Sequence, residues 1–227
     1  MEKKIVKLLD KGFIALEDVM GSDMAIINAA RVSYLGTSKG NEKDKRLIFY
    51  LMKHKHTSPF EMVEFKFHVK CPLFVARQWM SHRTWSYNEV SRRYTDANIE
   101  FYVPEIWRRQ STTNKQGSEG TIQGDFSGHL EEVISFALRA YYNALKNGVA
   151  REQARIFLPQ AMYTEFIAKV DAHNLMHFLR LRMAPEAQYE IRIFAHAIYE
   201  HFFSPILPWT AEAFRLFGGI PDELKNK

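Results

Sequence analysis

The segment 77–94 concentrates side chains that bind anions. It contains four arginines and one histidine against a single acid, Glu89. Guanidinium groups bind phosphates and carboxylates through paired hydrogen bonds, whereas an ordinary surface helix would mix lysine with glutamate. If the chain is extended there, Glu89, Ser91 and Arg93 project to one side and could hold a phosphate and a sugar hydroxyl together. A structural network of ion pairs is the alternative interpretation.

Two further arginines lie in predicted helices of the second half. Arg155 follows Arg151 by four residues, which puts both on one helical face. Arg182 stands at the end of a helix predicted over 172–183, where a cation also complements the helix dipole. Guanidinium groups from distant parts of the chain are therefore available to meet around one anionic ligand.

Other residues with possible chemistry give weaker signals. His173 and His177 have the spacing of a zinc-chelating pair, but a zinc site needs a third ligand and outer hydrogen-bond partners, and none is evident. We therefore predict no metal, and favour polar packing or nucleotide contact for this pair. The single cysteine, Cys71, is predicted to be a small buried residue rather than a nucleophile. The sequence has neither a Gly-rich dinucleotide motif nor a P-loop.

An antiparallel sheet is expected to position these groups. Met62–Lys70 is the clearest strand, because Val63, Phe65, Phe67 and Val69 alternate with charged or polar residues. This period of two puts the apolar side chains on one covered face. Further strands are predicted at 4–9, 13–18 and 98–103.

Helical periodicity and capping residues predict helices packed on this sheet. They cover 22–32, 42–54, 73–80, 129–147, 150–158, 172–183, 186–203 and a last segment from Thr210 to Gly218. Ser22, Asp171 and Thr210 are the predicted N-caps, and Pro72 and Pro185 suit first turns. The predicted fold class is α+β (α/β), an antiparallel sheet with packed helices.

The chain is expected to be a single domain, 1–227, with one long polar loop at 108–128 that is rich in Ser, Thr, Gly, Gln and Asn. Such loops are often lids or binding loops, and a disordered insertion is the alternative. A mobile lid predicts that 108–128 becomes protease-resistant when substrate binds.

Composition is that of a folded globular protein. The chain has 227 residues, 46% hydrophobic and 25% charged, which argues against disorder. Its longest run without Asp, Glu, Lys or Arg, 201–211, has 11 residues, fewer than the roughly 20 of a membrane span, and its start lacks the apolar core of a signal peptide. We therefore expect a soluble cytoplasmic protein with no membrane partner. The net charge of +5 favours anionic partners such as nucleotides, phosphates or nucleic acid.

The central motif resembles that of the flavin-dependent thymidylate synthases. That family carries Arg-His-Arg, then seven residues, then Ser. Here the positions read Ser81-His82-Arg83, then seven residues, then Ser91. Family-like blocks occur in the same order along most of the chain, at 10–13, 30–33, 56–61, 74–79, 154–159 and 175–182.

The resemblance implies an enzyme that methylates C5 of dUMP to give dTMP. Methylenetetrahydrofolate would supply the one-carbon unit, and FAD reduced by NADPH would supply the hydride. The family is typically a homotetramer with active sites at subunit interfaces, and its fold combines an antiparallel sheet with packed helices. No nucleic-acid partner is implied.

Carried over position by position, the resemblance implies two sets of binding residues. The substrate-binding set is Gln78, Ser81, Glu89, Val90, Ser91, Arg92, Arg93, Arg155 and Arg182, with Ser91 and Arg93 near the phosphate and Arg155 and Arg182 at the uracil. The flavin-binding set is Ser58, Ser81, His82, Arg83, Glu89, Asp171, His173 and His177, and His56 matches a histidine near the flavin. Arg182 is the catalytic residue of this scheme: a guanidinium is not a base, but as a fixed cation it would stabilise the uracil anion.

Several positions depart from the family pattern. Ser81 stands where the family has the first Arg of the motif, so a cation between flavin and nucleotide is lost. Asp171, His173 and His177 stand where the family has Asn, Arg and Asn, and Glu186 replaces a histidine. Asp171 would repel a pyrophosphate unless it acts mainly as a helix cap.

Two other functions are consistent with these residues. One is a related flavin-dependent C5 alkylation of another uracil nucleotide, or hydroxymethyl transfer. The other is a non-catalytic nucleic-acid binder that uses the basic segment and shows a steep salt dependence.

Overall fold

A five-stranded antiparallel sheet forms the centre of the molecule. The computed structural model describes residues 4–219, and the strands of this sheet are β1 (Ile5–Leu8), β2 (Gly12–Met20), β3 (Glu64–Pro72), β4 (Ser86–Glu89) and β7 (Tyr163–Asp171). Their order across the sheet is β1-β2-β3-β7-β4, so β3 is the middle strand. Two short strands, β5 (Arg109–Gln110) and β6 (Ser118–Glu119), form a separate hairpin.

The alternation predicted for β3 is confirmed. Val63, Phe65, Phe67 and Val69 are fully buried in the main core, while the polar residues between them are partly exposed. The strand starts later than predicted because Ser58–Met62 forms a 3-10 helix. One face of the sheet therefore packs against the main core, as the period of two predicts.

The largest difference from the sequence prediction is β7, which lies in the half of the chain predicted to be helical. It pairs with β3 along its whole length. Phe166, Ala168 and Val170 face the core, but the alternation is weak in the sequence because Ile167 lies on the opposite face and Ala168 is small. The aromatic and β-branched residues of 163–170 are the signal that favours a strand here.

Helices pack against the sheet and its ends. They are α1 (Asp23–Val32), α2 (Asn41–Lys53), α3 (Leu73–Trp79), α4 (Phe126–Lys146), α5 (Arg151–Ala154), α6 (Ala172–Arg182), α7 (Tyr189–Ile198), α8 (Ser204–Ile206) and α9 (Pro208–Phe217). A 3-10 turn, Arg155–Phe157, follows α5, and a π-helical turn, Tyr199–Phe203, joins α7 to α8. The predicted N-caps Ser22 and Asp171 are confirmed, because each side chain accepts a backbone N–H in the first turn of its helix. The α+β fold class is confirmed.

Three predicted helix starts are wrong. α4 begins at Phe126, three residues before the predicted start, because the side chain of Asp125 accepts the N–H of Gly128 and caps the helix. α7 begins at Tyr189, because Ala187 N–H donates to Ala184 C=O and closes a turn before the helix. α9 begins at Pro208, so Thr210 lies inside the helix and is fully buried.

The N-terminus of α9 is capped by a different helix. Asp23 of α1 accepts the N–H groups of Trp209 at 2.8 Å and Thr210 at 3.1 Å, and the Thr210 hydroxyl donates to the same carboxylate at 2.6 Å. Pro208, at the first helical position, has no N–H to satisfy. A side chain almost two hundred residues away in the chain therefore does what Thr210 was predicted to do.

The strand predicted at 98–103 is wrong. Its one ladder contact is an isolated bridge from Phe101 to Met162, and Asn98 has a φ of 52°, which is left-handed and incompatible with a strand. Phe101 and Met162 instead form a second, small core with Ile134 of α4.

The polar segment 108–128 has defined contacts with itself and with the rest of the chain. β5 and β6 pair within it, and the Gln110 side-chain amide donates to several carbonyls of the loop between them. Arg108 fastens the segment to α7 through an ion pair with Glu190, which is 3% exposed. A lid function of the segment stays a prediction.

Among residues 4–219, no helix combines the length and apolarity needed to cross a membrane.

Candidate active site

A cavity of about 710 Å³ lies beside α6. Its wall is made by α6, by the turn after α3, by the end of α2 with the residues that follow, and by the end of α9. Six of the predicted site residues line it: Ser81, His82, Arg83, His173, His177 and Arg182. The fold thus brings together positions that are about a hundred residues apart in the sequence.

The lining of the cavity carries charge of one sign. Within residues 4–219, none of the residues that line it is Asp or Glu, and the cations that line it are Lys55, Arg83, Arg180 and Arg182. Aromatic rings from the 3-10 helix and from α9 line it as well. Uncompensated cations beside apolar walls favour a ligand that is anionic in one part and flat and apolar in another.

Arg182 and His82 form the central hydrogen bond of the site. Arg182 Nε donates to His82 Nε2 at 3.0 Å, so the imidazole accepts there and carries its proton on Nδ1. Burial, together with the charges of Arg182 and His177, lowers the pKa of His82 to about 4. Burial also lowers the pKa of Arg182, but a guanidinium stays charged at physiological pH. The site therefore combines a neutral imidazole with a fixed cation.

A second basic pair lies on the same helix. Arg180 Nη2 is 3.1 Å from His177 Nδ1, and the ring of His177 is 6.0 Å from that of His82 in an edge contact. Burial and the charges of Arg180, His173 and Arg182 lower the pKa of His177. Within the described residues, no three ligating side chains are grouped closely enough to hold a metal ion.

Ser81 and Asp171 direct their side chains toward their own backbone. Ser81 Oγ donates to the Gln78 carbonyl at 2.6 Å. Asp171 accepts both the backbone N–H and the side-chain amide of Asn174, so its carboxylate caps α6 and does not line the cavity. Ser58 does not line the cavity either.

Apart from Gln78 on α3, the remaining predicted substrate residues form a separate group, the β4-end cluster: Glu89, Val90, Ser91, Arg92, Arg93 and Arg155. Arg93 Nη2 lies 3.7 Å from Glu152 Oε2, and Arg155 Nε donates to the Glu152 carbonyl at 3.1 Å. Both guanidinium groups therefore contact the same residue of α5. Both side chains are exposed. No member of the cluster lines the cavity.

The chain is not extended through the β4-end cluster. β4 ends at Glu89, and Ser91 begins a turn in which its carbonyl accepts the N–H of Tyr94 at 3.0 Å and its hydroxyl accepts the N–H of Arg93 at 3.3 Å. Strand alternation therefore does not align Glu89, Ser91 and Arg93. Glu89 Oε1 instead accepts the hydroxyl of Thr164 at 2.6 Å.

Arg92 is the buried member of the predicted substrate set, and Gln78 is half-buried. The guanidinium of Arg92 donates to the carbonyls of Ala97 at 2.6 Å and Asn98 at 3.2 Å, which fastens the turn after β4. Gln78 Oε1 is buried and has no hydrogen-bond partner among residues 4–219. An unpaired buried acceptor is costly unless a ligand or a neighbouring chain supplies a donor.

Sequence reasoning assigned no binding role to several cavity residues. Arg180 follows His177 by three residues and His173 by seven, so helical spacing was a usable signal for it. Phe214 and Phe217 have no local signal, because they reach the cavity only through the packing of α9 on α2. His56 lies outside the cavity, with its ring edge-on to that of Tyr50.

Comparison with known proteins supports one family. Residues 15–209 match the family model described as "Thymidylate synthase complementing protein". The chain is 54% identical to the flavin-dependent thymidylate synthase of Thermus thermophilus over 208 residues, which are 91% of this chain and 77% of that protein. It is 47% identical to that of Thermosipho africanus over 224 residues, 97% of this chain and 98% of that protein.

The fold gives the same result. The crystal structure of the UMP/dUMP methylase PolB from Streptomyces cacaoi, bound with 5-Br dUMP, matches with a TM-score of 0.84 and 32% identity, covering 95% of this chain and 99% of that chain. Because the family model matches most of the chain and close relatives align over nearly all of it, the chain belongs to the flavin-dependent thymidylate synthase family.

Proposed function

We propose that the protein methylates C5 of dUMP to give dTMP, with methylenetetrahydrofolate as one-carbon donor and FAD reduced by NADPH as hydride source. The observation that carries this proposal is a cavity in which Arg182 is hydrogen-bonded to a neutral His82 and which no acid of residues 4–219 lines, in a chain of this family. The likeness to a methylase bound with 5-Br dUMP supports the same reaction. A cytoplasmic location belongs to the proposal as a prediction.

The cavity fits a flavin dinucleotide in size, charge and surface. A volume of about 710 Å³ suits a large organic ligand. Cations without carboxylates suit a diphosphate, and aromatic walls suit planar rings. His82, Arg83, His173 and His177 would hold the cofactor, with Ser81 contributing backbone contacts. When bound, FAD supplies the hydride of the reaction.

Arg182 would act on the uracil ring as a fixed cation. C5 of uracil is a weak nucleophile, and negative charge on N3 and the adjacent carbonyl oxygen increases its electron density. The hydrogen bond to His82 orients the guanidinium before substrate binds, which is the preorganisation that makes electrostatic stabilisation effective. A role as general base does not fit a group that stays protonated.

The state of Cys71 supports a mechanism without an enzyme thiol. Cys71 is the single cysteine of the chain and is fully buried. Burial, with the nearby charge of Glu89, raises the pKa of its thiol well above the ordinary value. A buried, protonated thiol is neither accessible to a nucleotide nor nucleophilic.

We assign the phosphate end of dUMP to Ser91 and Arg93 of the β4-end cluster, which present a hydroxyl and an exposed guanidinium, and we keep Arg155 of the same cluster at the uracil. This cluster and the cavity share no lining residue within one chain. A homotetramer with active sites between subunits would bring the cluster of one chain to the cavity of its neighbour. The folate co-substrate would bind at the same junction.

The test is a reaction of the purified protein with FAD, NADPH, methylenetetrahydrofolate and dUMP, followed by mass analysis of the nucleotide. The expected product is dTMP, formed only when all four components are present. Protein that binds flavin but leaves dUMP unchanged would overturn the proposed reaction. Binding of DNA with a steep salt dependence and no flavin would instead support the nucleic-acid binder.

Methylation of UMP is the second candidate function. It is favoured by the similarity to the UMP/dUMP methylase, which has solved structures with both 5-Br dUMP and 5-Br UMP. Competition between equal amounts of UMP and dUMP, read by mass, separates the two candidates. Selective conversion of dUMP excludes the second.

A further inference from the structure

Arg180 is a cavity cation that the proposed chemistry does not use. It lies in the last turn of α6, its side chain is exposed, and it lines the cavity. No ion pair joins it to any carboxylate in the described part of the chain, and its side-chain partner is His177. Arg182 lies two residues further on and is already bonded to His82, so the two guanidinium groups have different partners.

His177 determines where the guanidinium of Arg180 lies. Because a guanidinium only donates, His177 Nδ1 accepts from Arg180 Nη2 at 3.1 Å and the imidazole must be neutral. The charged and titratable groups that act on this imidazole within residues 4–219 are basic: Arg180, Arg182 and His173 on its own helix, and His82 across the cavity. Lys55 and Arg83 line the same cavity. Among residues 4–219, no carboxylate therefore neutralises Arg180 there.

The aliphatic part of Arg180 is also confined. A methyl group placed on Gly219, whose φ is 79°, would lie 3.3 Å from Arg180 Cδ, so the backbone that follows α9 packs closely against the arginine stem. The side chain is thus held at both ends, at Gly219 and at His177. Less rotamer freedom is lost when a ligand binds to a group that is already held.

We propose that Arg180, oriented by His177, binds the diphosphate of the flavin dinucleotide. This rests on the proposed function, in which the cavity binds FAD. Ser81 cannot serve this purpose, because its hydroxyl is donated to the Gln78 carbonyl, and Asp171 uses its carboxylate to cap α6. A guanidinium binds phosphate oxygens through two parallel hydrogen bonds, and Arg180 has the donors for this.

The experiment measures affinity rather than turnover. Flavin-free protein is titrated with FAD and, separately, with riboflavin, which has the same ring system but no phosphate, and binding is followed by flavin fluorescence. Arg180→Gln is expected to weaken FAD binding about 10- to 100-fold, the usual effect of a lost charge-assisted hydrogen bond, and to leave riboflavin binding unchanged.

Arg139→Gln is the matched control. Arg139 is also an exposed helical arginine that bonds to a side chain of the preceding turn, with Nη1 donating to Ser135 Oγ at 2.8 Å, but it lies on α4 outside the cavity. The Arg139→Gln substitution removes one positive charge, as Arg180→Gln does, so an effect of net charge alone on FAD binding would appear in both variants.

The positioning role of His177 has its own variants. His177→Asn keeps a side-chain acceptor for Arg180 and should retain most of the FAD affinity, whereas His177→Leu should weaken FAD binding as Arg180→Gln does. The two His177 variants should have equal riboflavin affinity and equal thermal stability, and should differ in FAD affinity alone. If the imidazole had only a structural role, the variant with weaker FAD binding would also lose riboflavin affinity or thermal stability.

The outcomes separate this inference from the function on which it rests. If the unaltered protein binds no FAD, the proposed function fails. If it binds FAD and Arg180→Gln behaves like Arg139→Gln, the diphosphate assignment is wrong and the proposed function stands. Equal loss of FAD and riboflavin, or a higher KM for NADPH with unchanged FAD affinity, would also overturn the assignment.

Discussion

At the level of single residues, Arg182 combines a permanent charge with a fixed orientation. Its Nε donates a hydrogen bond to His82 Nε2, and among residues 4–219 no other side chain of the cavity is hydrogen-bonded to this imidazole. We expect Arg182→Ala and Arg182→Lys to lose turnover by roughly 10²–10³, the effect of removing one preorganised donor, while the fold is kept.

Steady-state kcat with dUMP, together with circular dichroism and thermal unfolding, checks this prediction. Arg139→Lys, outside the cavity, is the control and should keep normal turnover. Retained dUMP-dependent turnover in the Arg182 variants would remove Arg182 from the mechanism.

His82 makes stability depend on pH in a defined range. The pKa of this imidazole is about 4 in the folded chain and near 6.5 in an unfolded one. Between these values the unfolded state binds more protons, so the free energy of unfolding falls as the pH drops from about 6.5 to about 4, by roughly 1–3 kcal/mol. Above this range the His82 contribution is constant.

Urea unfolding at a series of pH values measures this slope. His82→Gln has no titrating ring and should show a flatter profile over the same range. An NMR titration that gives His82 a pKa near 6.5 would contradict the prediction.

At the level of elements, Asp23 joins α1 to the start of α9. It is buried and accepts three hydrogen bonds from Trp209 and Thr210. Asp23→Ala should lower the free energy of unfolding by roughly 1–3 kcal/mol, because it leaves the N–H groups of α9 without an acceptor. Urea denaturation measures the loss.

Asp18→Ala is the matched control for Asp23. Asp18 makes an exposed ion pair with Lys66 at 3.3 Å, and such pairs contribute little. Equal losses in the two variants would show that the cap across helices is not what stabilises α9.

The segment 108–128 gives a prediction about proteolysis. Arg108 is its ion-pair anchor to the buried Glu190, so Arg108→Ala should increase cleavage between β5 and β6. If the segment is a lid, dUMP and FAD should protect it in the unaltered protein. Limited proteolysis with mass mapping measures both effects, and identical cleavage with and without ligands would count against a lid.

At the level of the whole molecule, the separation of the cavity from the β4-end cluster predicts sites shared between subunits. Arg155→Ala removes one arginine of the cluster and Arg182→Ala removes one arginine of the cavity, so each variant alone should lose most of its turnover. After the two are unfolded together and refolded as mixed oligomers, some sites would combine an intact cluster with an intact cavity. Recovery of turnover in the mixture, absent from either variant alone, checks this, whereas no recovery indicates sites within one chain.

Local patterns in the sequence were enough for much of the framework. The alternation of Val63, Phe65 and Phe67 identified the middle strand, and Ser22 and Asp171 identified two helix starts, because these signals depend only on neighbouring residues. The motif at 81–91 identified the family. The predicted site residues that line the cavity belong either to that motif or to α6.

What the sequence determined by itself is the set of local elements and the motif that identifies the chemistry. The tertiary structure alone decided that β7 pairs with β3, that Asp23 caps α9, and that Phe214 joins Arg180 around one cavity. These contacts join residues far apart in the chain, and their free energy comes from burying surfaces that no short window of sequence contains. The periodicity of a segment predicts its secondary structure, whereas tertiary packing determines which distant residues it contacts.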